Sequence, residues 1–302
     1  MPSFRAAAVR VRVPATSANL GPGFDSAGLA LSLYDDVLVR VTDAGLTVDV
    51  AGEGAEDVPR DERHLVVSSL RAAFARLGGQ PRGLEVVCAN RIPHARGLGS
   101  SSAAIVSAVL AARALVVGGS SELDDAACLD LANVLEGHPD NVAACLLGGL
   151  TVAWTAQGRA RAIRLDAHAE LAPVAFVPSD RSSTAEVRGL LPATVPYADA
   201  VLNASRAALL PYALTIDPSL LLPATEDRLH QGYRAPAMPA TAALVSELRS
   251  TGVPAVVSGA GPTVLALTTA GGRAALVETG RPGWRVLPLD VDRGGAHLVT
   301  AP

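Results

Sequence analysis

Lysine is absent from the chain: all 25 basic residues are arginine. That excludes a lysine-dependent phosphate loop of the G-x-x-x-x-G-K-[ST] kind and any Schiff-base chemistry. Aromatic residues make up only 3% of the sequence, too few for the stacking platforms that bind single-stranded nucleic acid. The net charge is −4, so no overall basic field draws in nucleic acid or an anionic membrane. Cysteine is scarce as well. Cys88, Cys128 and Cys145 are an odd set among apolar neighbours, which reads as reduced core thiols rather than a disulfide framework. The longest apolar run, residues 103–117, is interrupted by Ser107 and Arg113 and is too short to span a bilayer. The N-terminus alternates Val and Arg as a strand does and carries no apolar signal core. The expectation is a soluble cytoplasmic protein with no membrane or nucleic-acid partner.

Aliphatic bulk is what the chain has. Of its 302 residues, 49% are hydrophobic, enough for two ordinary cores. Strand alternation is read at residues 8–14, 37–41 and 46–50, with a turn at Asp43-Ala44-Gly45. Helical spacing runs from His64 to Leu77 and stops at Gly78-Gly79. A strand at 84–89 leads into a Gly/Ser loop, and a second helix is predicted over 101–117. Ser121 is expected to cap a third helix, with Asp124 and Asp125 near its positive end and Gly137 past its last turn. Beyond residue 150 the texture changes: strands are expected at 173–177, 255–257 and 264–268, and helices at 184–191, 197–210 and 240–250. The pattern is α+β, with a first domain at 1–160 and a second at 161–302.

The Gly/Ser loop suits an anion. Gly97 and Gly99 permit backbone shapes and close approaches that a side chain blocks. Ser100, Ser101 and Ser102 open a helix whose first amides have no intrahelical partner, and those amides favour phosphate together with the helix dipole. A plain loop-to-helix cap explains the same residues equally well.

At this loop a resemblance emerges. Pro93-His-Ala-Arg-Gly-Leu-Gly-Ser-Ser-Ser-Ala103 resembles the ATP loop of the GHMP kinases. Pro14-Ala-Thr-Ser-Ala-Asn-Leu-Gly-Pro-Gly-Phe-Asp-Ser-Ala-Gly-Leu-Ala-Leu31 is similar to the opening motif of their homoserine-phosphorylating branch. Ser258-Gly-Ala-Gly-Pro-Thr-Val-Leu-Ala-Leu267 resembles the third glycine motif. Glu136-Gly-His-Pro-Asp-Asn141, Ser183-Thr184 to Arg188, and Asp227 to Arg234 complete the ordered set.

The resemblance implies a two-domain fold, with an N-terminal domain like ribosomal protein S5 and a ferredoxin-like C-terminal domain. It implies transfer of the ATP γ-phosphoryl group to the side-chain hydroxyl of L-homoserine, a step toward threonine, with Mg²⁺ and, commonly, a homodimer. ATP contacts then fall on Pro93, His94, Ala95, Arg96, Gly97, Leu98, Gly99, Ser100, Ser101, Ser102 and Ala103. Asp25 would hold the substrate amino group, with Asn19 beside it, and Arg188 and Arg234 would grip its carboxylate. Thr184 would form a pocket wall, His138 would position substrate, and Gly259 and Gly261 would bring backbone close to the ligand. Asn141 would orient the reacting hydroxyl, because an amide is no base. Plainer readings stand beside these. Asp25 and Asn19 suit a turn, Arg188 and Arg234 suit a solvated surface, Ser183 and Glu186 form a capping box, and the glycines suit a turn.

Ser101 and Glu136 are the metal-ligand candidates. The branch resembled here is expected to carry Glu-apolar-Glu before Gly-His, but this chain has Val134-Leu135-Glu136, so Val134 stands where the metal carboxylate is expected. Positions 134 and 136 lie about 200° apart on a helix. Either Glu136 reaches the metal with Ser101, or phosphates and water hold it and turnover falls. Another small-molecule GHMP kinase and a nucleotide-binding relative with impaired catalysis are the alternatives.

Overall fold

Val9, Val11 and Val13 alternate with Arg10 and Arg12, and this period of two becomes strand β1 (Val9–Ala18). The computed structural model describes residues 2–180 and 187–299. β1 runs beyond the expected end at residue 14, and its register against β2 (Ala27–Thr42) shifts between Pro14 and Ala15, where proline lacks a ladder donor. The strand expected at 37–41 is only the last part of the 16-residue β2. One edge of β2 follows β1; the other is shared by β4 (Gly83–Asn90) and, near its start, by β5 (Leu150–Ala156). β3 (Gly45–Gly52) lies parallel to β4. A tight turn cannot join parallel strands, and α1 (Leu65–Arg76) makes the crossover.

The segment 156–170 is read from sequence only as mixed and polar, yet it holds β6 (Arg159–Leu165), hairpin partner of β5. The expected boundary at residue 160 falls inside that strand. Four antiparallel strands then form a second sheet: β7 (Val174–Pro178), β8 (Ala255–Val257), β9 (Val264–Ala266) and β10 (Trp284–Pro288), in the order β10-β7-β9-β8. Helices follow β7 and β9, which gives the β-α-β-β-α-β succession of a ferredoxin-like unit. The chain finally returns, and β11 (His297–Val299) pairs with β1 at the edge of the first sheet.

Helices α2 (Ser100–Leu115) and α5 (Pro139–Leu147) pack on the first sheet. Between them come a single turn, α3 (Gly119–Glu122), and α4 (Asp125–Glu136). The cap of α4 is Asp124, whose carboxylate accepts from Ala127 N at 2.8 Å. Ser121 sits one turn too early, inside α3. Gly137, at φ +95°, closes α4 in the left-handed conformation. In the second unit α6 (Tyr197–Thr215) precedes the short α7 (Leu221–Ala224) and α8 (Gln231–Arg234); α9 (Pro239–Ser250) and α10 (Ala270–Glu278) follow. The helix expected at 184–191 begins outside the described residues. The core is aliphatic: Val11, Leu29, Leu70, Leu84 and Ile105 are buried together with Phe74. All three cysteines are buried and unpaired, and burial pushes the Cys88 thiol up to about 12. No described helix is long and apolar enough to cross a membrane.

Candidate active site

The Gly/Ser loop is clamped from both sides. Gly97 and Gly99 lie at φ +74° and +71°, conformations that cost a residue with a Cβ. A Cβ on Gly99 would stand 1.9 Å from Thr16 Oγ1, and one on Gly97 would stand 2.1 Å from the Ser258 carbonyl oxygen. The glycines thus seat the loop against β1 and the 258–261 turn. Leu98 O accepts from Thr16 N at 3.1 Å, and Ser258 Oγ donates to Gly97 O at 2.6 Å. Ala103 N donates to Gly99 O at 2.9 Å, so the amides of Ser100, Ser101 and Ser102 precede the helical ladder and stay available to an anion.

Other loop residues hold the loop in place. Arg96 donates to the carbonyls of His94, Pro178 and Ser179, tying the loop to the end of β7. Pro93, His94 and Ala95 form the approach, with Ala95 at φ +54°. A cavity of about 260 Å³ opens beside them, lined by Asp35, His64, Asn90, His94, Ser100 and Ser101 among others. Among the described residues His64 Nδ1 is buried there without a partner, and burial lowers its pKa. Asp35 accepts from Arg91 N and Ile92 N; burial outweighs those bonds and pushes its carboxyl up to about 6.

Glu136 faces the loop. Its Oε1 accepts from Ser101 Oγ at 2.6 Å and from Ser102 Oγ at 2.8 Å. Val134 is 70% exposed and points away, as helical phase requires two residues earlier. Of the two positions weighed from sequence for the metal carboxylate, 136 is the one that meets the serines in this fold. Among the described residues no group of three or more His, Cys, Asp or Glu gathers to cage a metal. The set is one carboxylate and two hydroxyls.

At the start of α5, His138 Nδ1 and Asp140 Oδ1 lie 2.8 Å apart. That bond raises the pKa of His138 against the opposing effect of burial. The same Asp140 oxygen accepts from Asn141 N, while its Oδ2 is buried without a partner among the described residues. Asn141 Oδ1 accepts from Thr16 Oγ1 at 2.8 Å. With the oxygen so engaged, the outward chemistry of Asn141 is that of an N–H donor.

The third cluster is built on the Gly21-Pro-Gly turn. Asn19 Oδ1 accepts from Asp25 N at 2.8 Å, a bond spanning six residues rather than the two of an Asx turn. Arg188 donates to Asp25 through both terminal nitrogens, at 2.9 and 2.7 Å. So the residues expected to bind opposite ends of one zwitterion pair with each other here. Arg234 is 1% exposed, not a surface cation. Among the described residues it meets no carboxylate: Nη1 lies 3.3 Å from His230 Nδ1 and 3.4 Å from Gly259 O, and Nε has no partner. Burial, then Arg188, lowers its pKa. Asp25, Asp227 and Asp140 act on it favourably, but a buried cation with no directly bonded carboxylate among the described residues is expensive, which makes Arg234 a candidate binding position. Gly261 is filled from within the protein, since a Cβ there would lie 2.7 Å from Met238 Sδ, so it packs the 258–261 turn. Thr184, with Ser183 and Glu186, lies outside the described residues.

Sequence reading missed four residues of this neighbourhood as functional: Thr16, Phe24, Asp140 and His230. Phe24 and Thr16 sit inside the opening motif, and the scarcity of phenylalanine, four in the chain, was a usable signal. Nothing local marked His230, which is buried with Nε2 2.8 Å from Gly21 O.

Comparison with known proteins places these features in context. The GHMP kinases N terminal domain matches residues 64–149, and the GHMP kinases C terminal domain matches residues 209–279. The chain is 64% identical over 298 residues to homoserine kinase of Streptomyces coelicolor, covering 99% of this chain and 96% of that protein. Homoserine kinase of Clavibacter michiganensis subsp. michiganensis is 53% identical, over 96% of this chain and 93% of that one. The crystal structure of homoserine kinase from Cytophaga hutchinsonii is similar with a TM-score of 0.81 at 25% identity, covering 99% of each chain.

Proposed function

The chain belongs to the homoserine kinases of the GHMP family, and from that premise we propose how its site transfers the γ-phosphoryl group of ATP to L-homoserine. The observation that carries the reading is Arg234, a buried guanidinium with no bonded carboxylate among the described residues, beside the Asp25–Arg188 pair. A zwitterionic amino acid fits that arrangement: its carboxylate meets the guanidiniums and its ammonium meets Asp25. Asn19 holds Asp25 in place. The nucleotide's phosphates lie on the amides of Ser100–Ser102, and its base takes the cavity lined by His64 and Asn90.

The loop and Asn141 meet at Thr16, which brings acceptor and donor together. The homoserine hydroxyl oxygen attacks the γ-phosphorus, the bond to the β-bridging oxygen breaks, and ADP leaves. Asn141 cannot take the proton; it donates through Nδ2 to align the hydroxyl or a phosphoryl oxygen. The proton passes to the transferred phosphoryl group, in keeping with a loose transition state that needs alignment more than a base. His138, anchored by Asp140, adds a second donor at the same end of α5.

The oxygen donors present fit magnesium, which Glu136, Ser101 and Ser102 would hold together with the nucleotide's phosphates. When bound, it neutralises phosphate charge. The convergence of those three side chains supports a working kinase over a nucleotide-binding relative that has lost turnover. The nucleotide loop belongs to the first sheet's unit, while Arg188 and Arg234 come from the second.

The test is coupled ADP release with homoserine, mevalonate or shikimate, with and without Mg²⁺. Turnover with homoserine alone, dependent on Mg²⁺, is expected. Equal turnover with another alcohol would overturn the substrate, and none with homoserine would overturn the reading.

A further inference from the structure

Phe24 lies between groups that should not tolerate each other. The Arg234 guanidinium carbon is 5.2 Å from the Phe24 ring centroid, and that of Arg188 is 5.5 Å from it. The His230 ring stacks on Phe24 at 5.0 Å with 25° between planes. Two guanidiniums so close repel, and only one of them, Arg188, has a carboxylate among the described residues. The face of an aromatic ring carries negative potential and attracts a cation within about 6 Å of its centroid. Phe24 is placed by the same turn that places Asp25, its neighbour in sequence. One turn therefore supplies a carboxylate for one arginine and a ring for both.

We infer that Phe24 is a positioning residue for substrate: its ring holds Arg188 and Arg234 side by side as a clamp ready for an α-amino acid carboxylate. Without the ring, Arg234 loses a favourable contact that adds to the field of Asp25, Asp227 and Asp140, and the pair separates. The carboxylate must then reassemble the clamp on binding. This penalty falls on amino-acid binding and not on nucleotide binding, because the Gly/Ser loop is anchored by Thr16 and Ser258. The inference rests on the reading of Arg188 and Arg234 as the homoserine carboxylate site.

The test replaces Phe24 by 4-fluoro-, 3,5-difluoro- and 3,4,5-trifluorophenylalanine, which drain the ring face of negative potential while keeping its shape, alongside Phe24→Leu and Phe24→Tyr. KM for homoserine, KM for ATP, kcat and Tm are measured for each. Expected is a homoserine KM that climbs step by step with fluorine number, reaching about tenfold for the trifluoro ring and for Phe24→Leu. Phe24→Tyr should stay within about threefold of the parent, and ATP KM should stay constant throughout. A flat homoserine KM across the fluorinated series overturns the proposal, as does a rise shared equally by ATP, which would mark general packing. A parent enzyme that does not turn over homoserine at all sinks the underlying reading instead, so the two failures are distinguishable.

Discussion

Two anion-handling regions sit a short distance apart and are built on opposite principles. At the Gly/Ser loop the positive field comes from backbone amides at the start of α2, and no side-chain cation is needed. Arg96 spans that loop but directs its donors to carbonyls. In the Asp25–Arg188–Arg234 cluster the charge is on side chains, one of them buried with no directly bonded carboxylate among the described residues. The first region depends on shape, because glycines must fit flush against Thr16 and Ser258. The second depends on charge balance left incomplete until a ligand arrives. In the proposed reading, a chain without lysine meets a polyphosphate with backbone and a zwitterion with arginine.

The contrast breaks first at Gly97. Gly97→Ala puts a Cβ against the Ser258 carbonyl at positive φ, and a loss of ~3 kcal/mol or more is expected in urea unfolding. Unchanged stability would mean the loop is not seated by shape. At Arg234 the opposite pattern is expected. Arg234→Met should raise the homoserine KM by about a hundredfold, leave the ATP KM within about twofold, and increase the stability of the empty protein. A fall in stability would show that the cation is compensated after all.

Asp35 sharpens the comparison, because it is a buried charge served by backbone amides. Its folded pKa of about 6 lies above the ordinary carboxylate value. The associated stability is therefore complete below about pH 4 and is lost as pH rises through about 6. Asp35→Asn keeps an acceptor for Arg91 N and Ile92 N without titrating. It should gain about 2 kcal/mol on the parent between pH 4 and pH 7.5, read from urea midpoints. A pH-independent difference would remove the assignment.

The smallest effects concern Glu136, the carboxylate proposed for Mg²⁺. Glu136→Gln is expected to raise the Mg²⁺ concentration for half-maximal rate by about tenfold. Val134→Glu, on the exposed face of α4, should leave it within about twofold. A Mg²⁺ response at position 134 would restore that position as the metal site.

Much of this was legible beforehand because it is local. The alternation of β1, the stop of α1 at Gly78, the glycine and serine spacing of the loop, and the close of α4 at Gly137 follow from backbone preference and short-range periodicity. The limits were local too. Ser121 and Asp124 both read as caps, and only the observed turn at 119–122 separates them. β6, a strand of arginines and small residues with one exposed edge, has too weak an alternation to announce itself.

By itself the sequence determined which chemical groups are present and which can begin or end an element: backbone amides for phosphate, arginines for carboxylates, no lysine. Tertiary structure decided which of them meet. Glu136 rather than Val134 faces Ser101 because the packing of α4 against its neighbours sets its rotation. Arg188 finds Asp25 across 163 positions, and Gly97 fits Ser258 across 161. Arg234 is buried rather than solvated because Phe24 from the first unit and His230 and Gly259 from the second pack around its guanidinium. Contacts of that range carry no periodic signature along the chain, since they are fixed only when two independently formed surfaces dock.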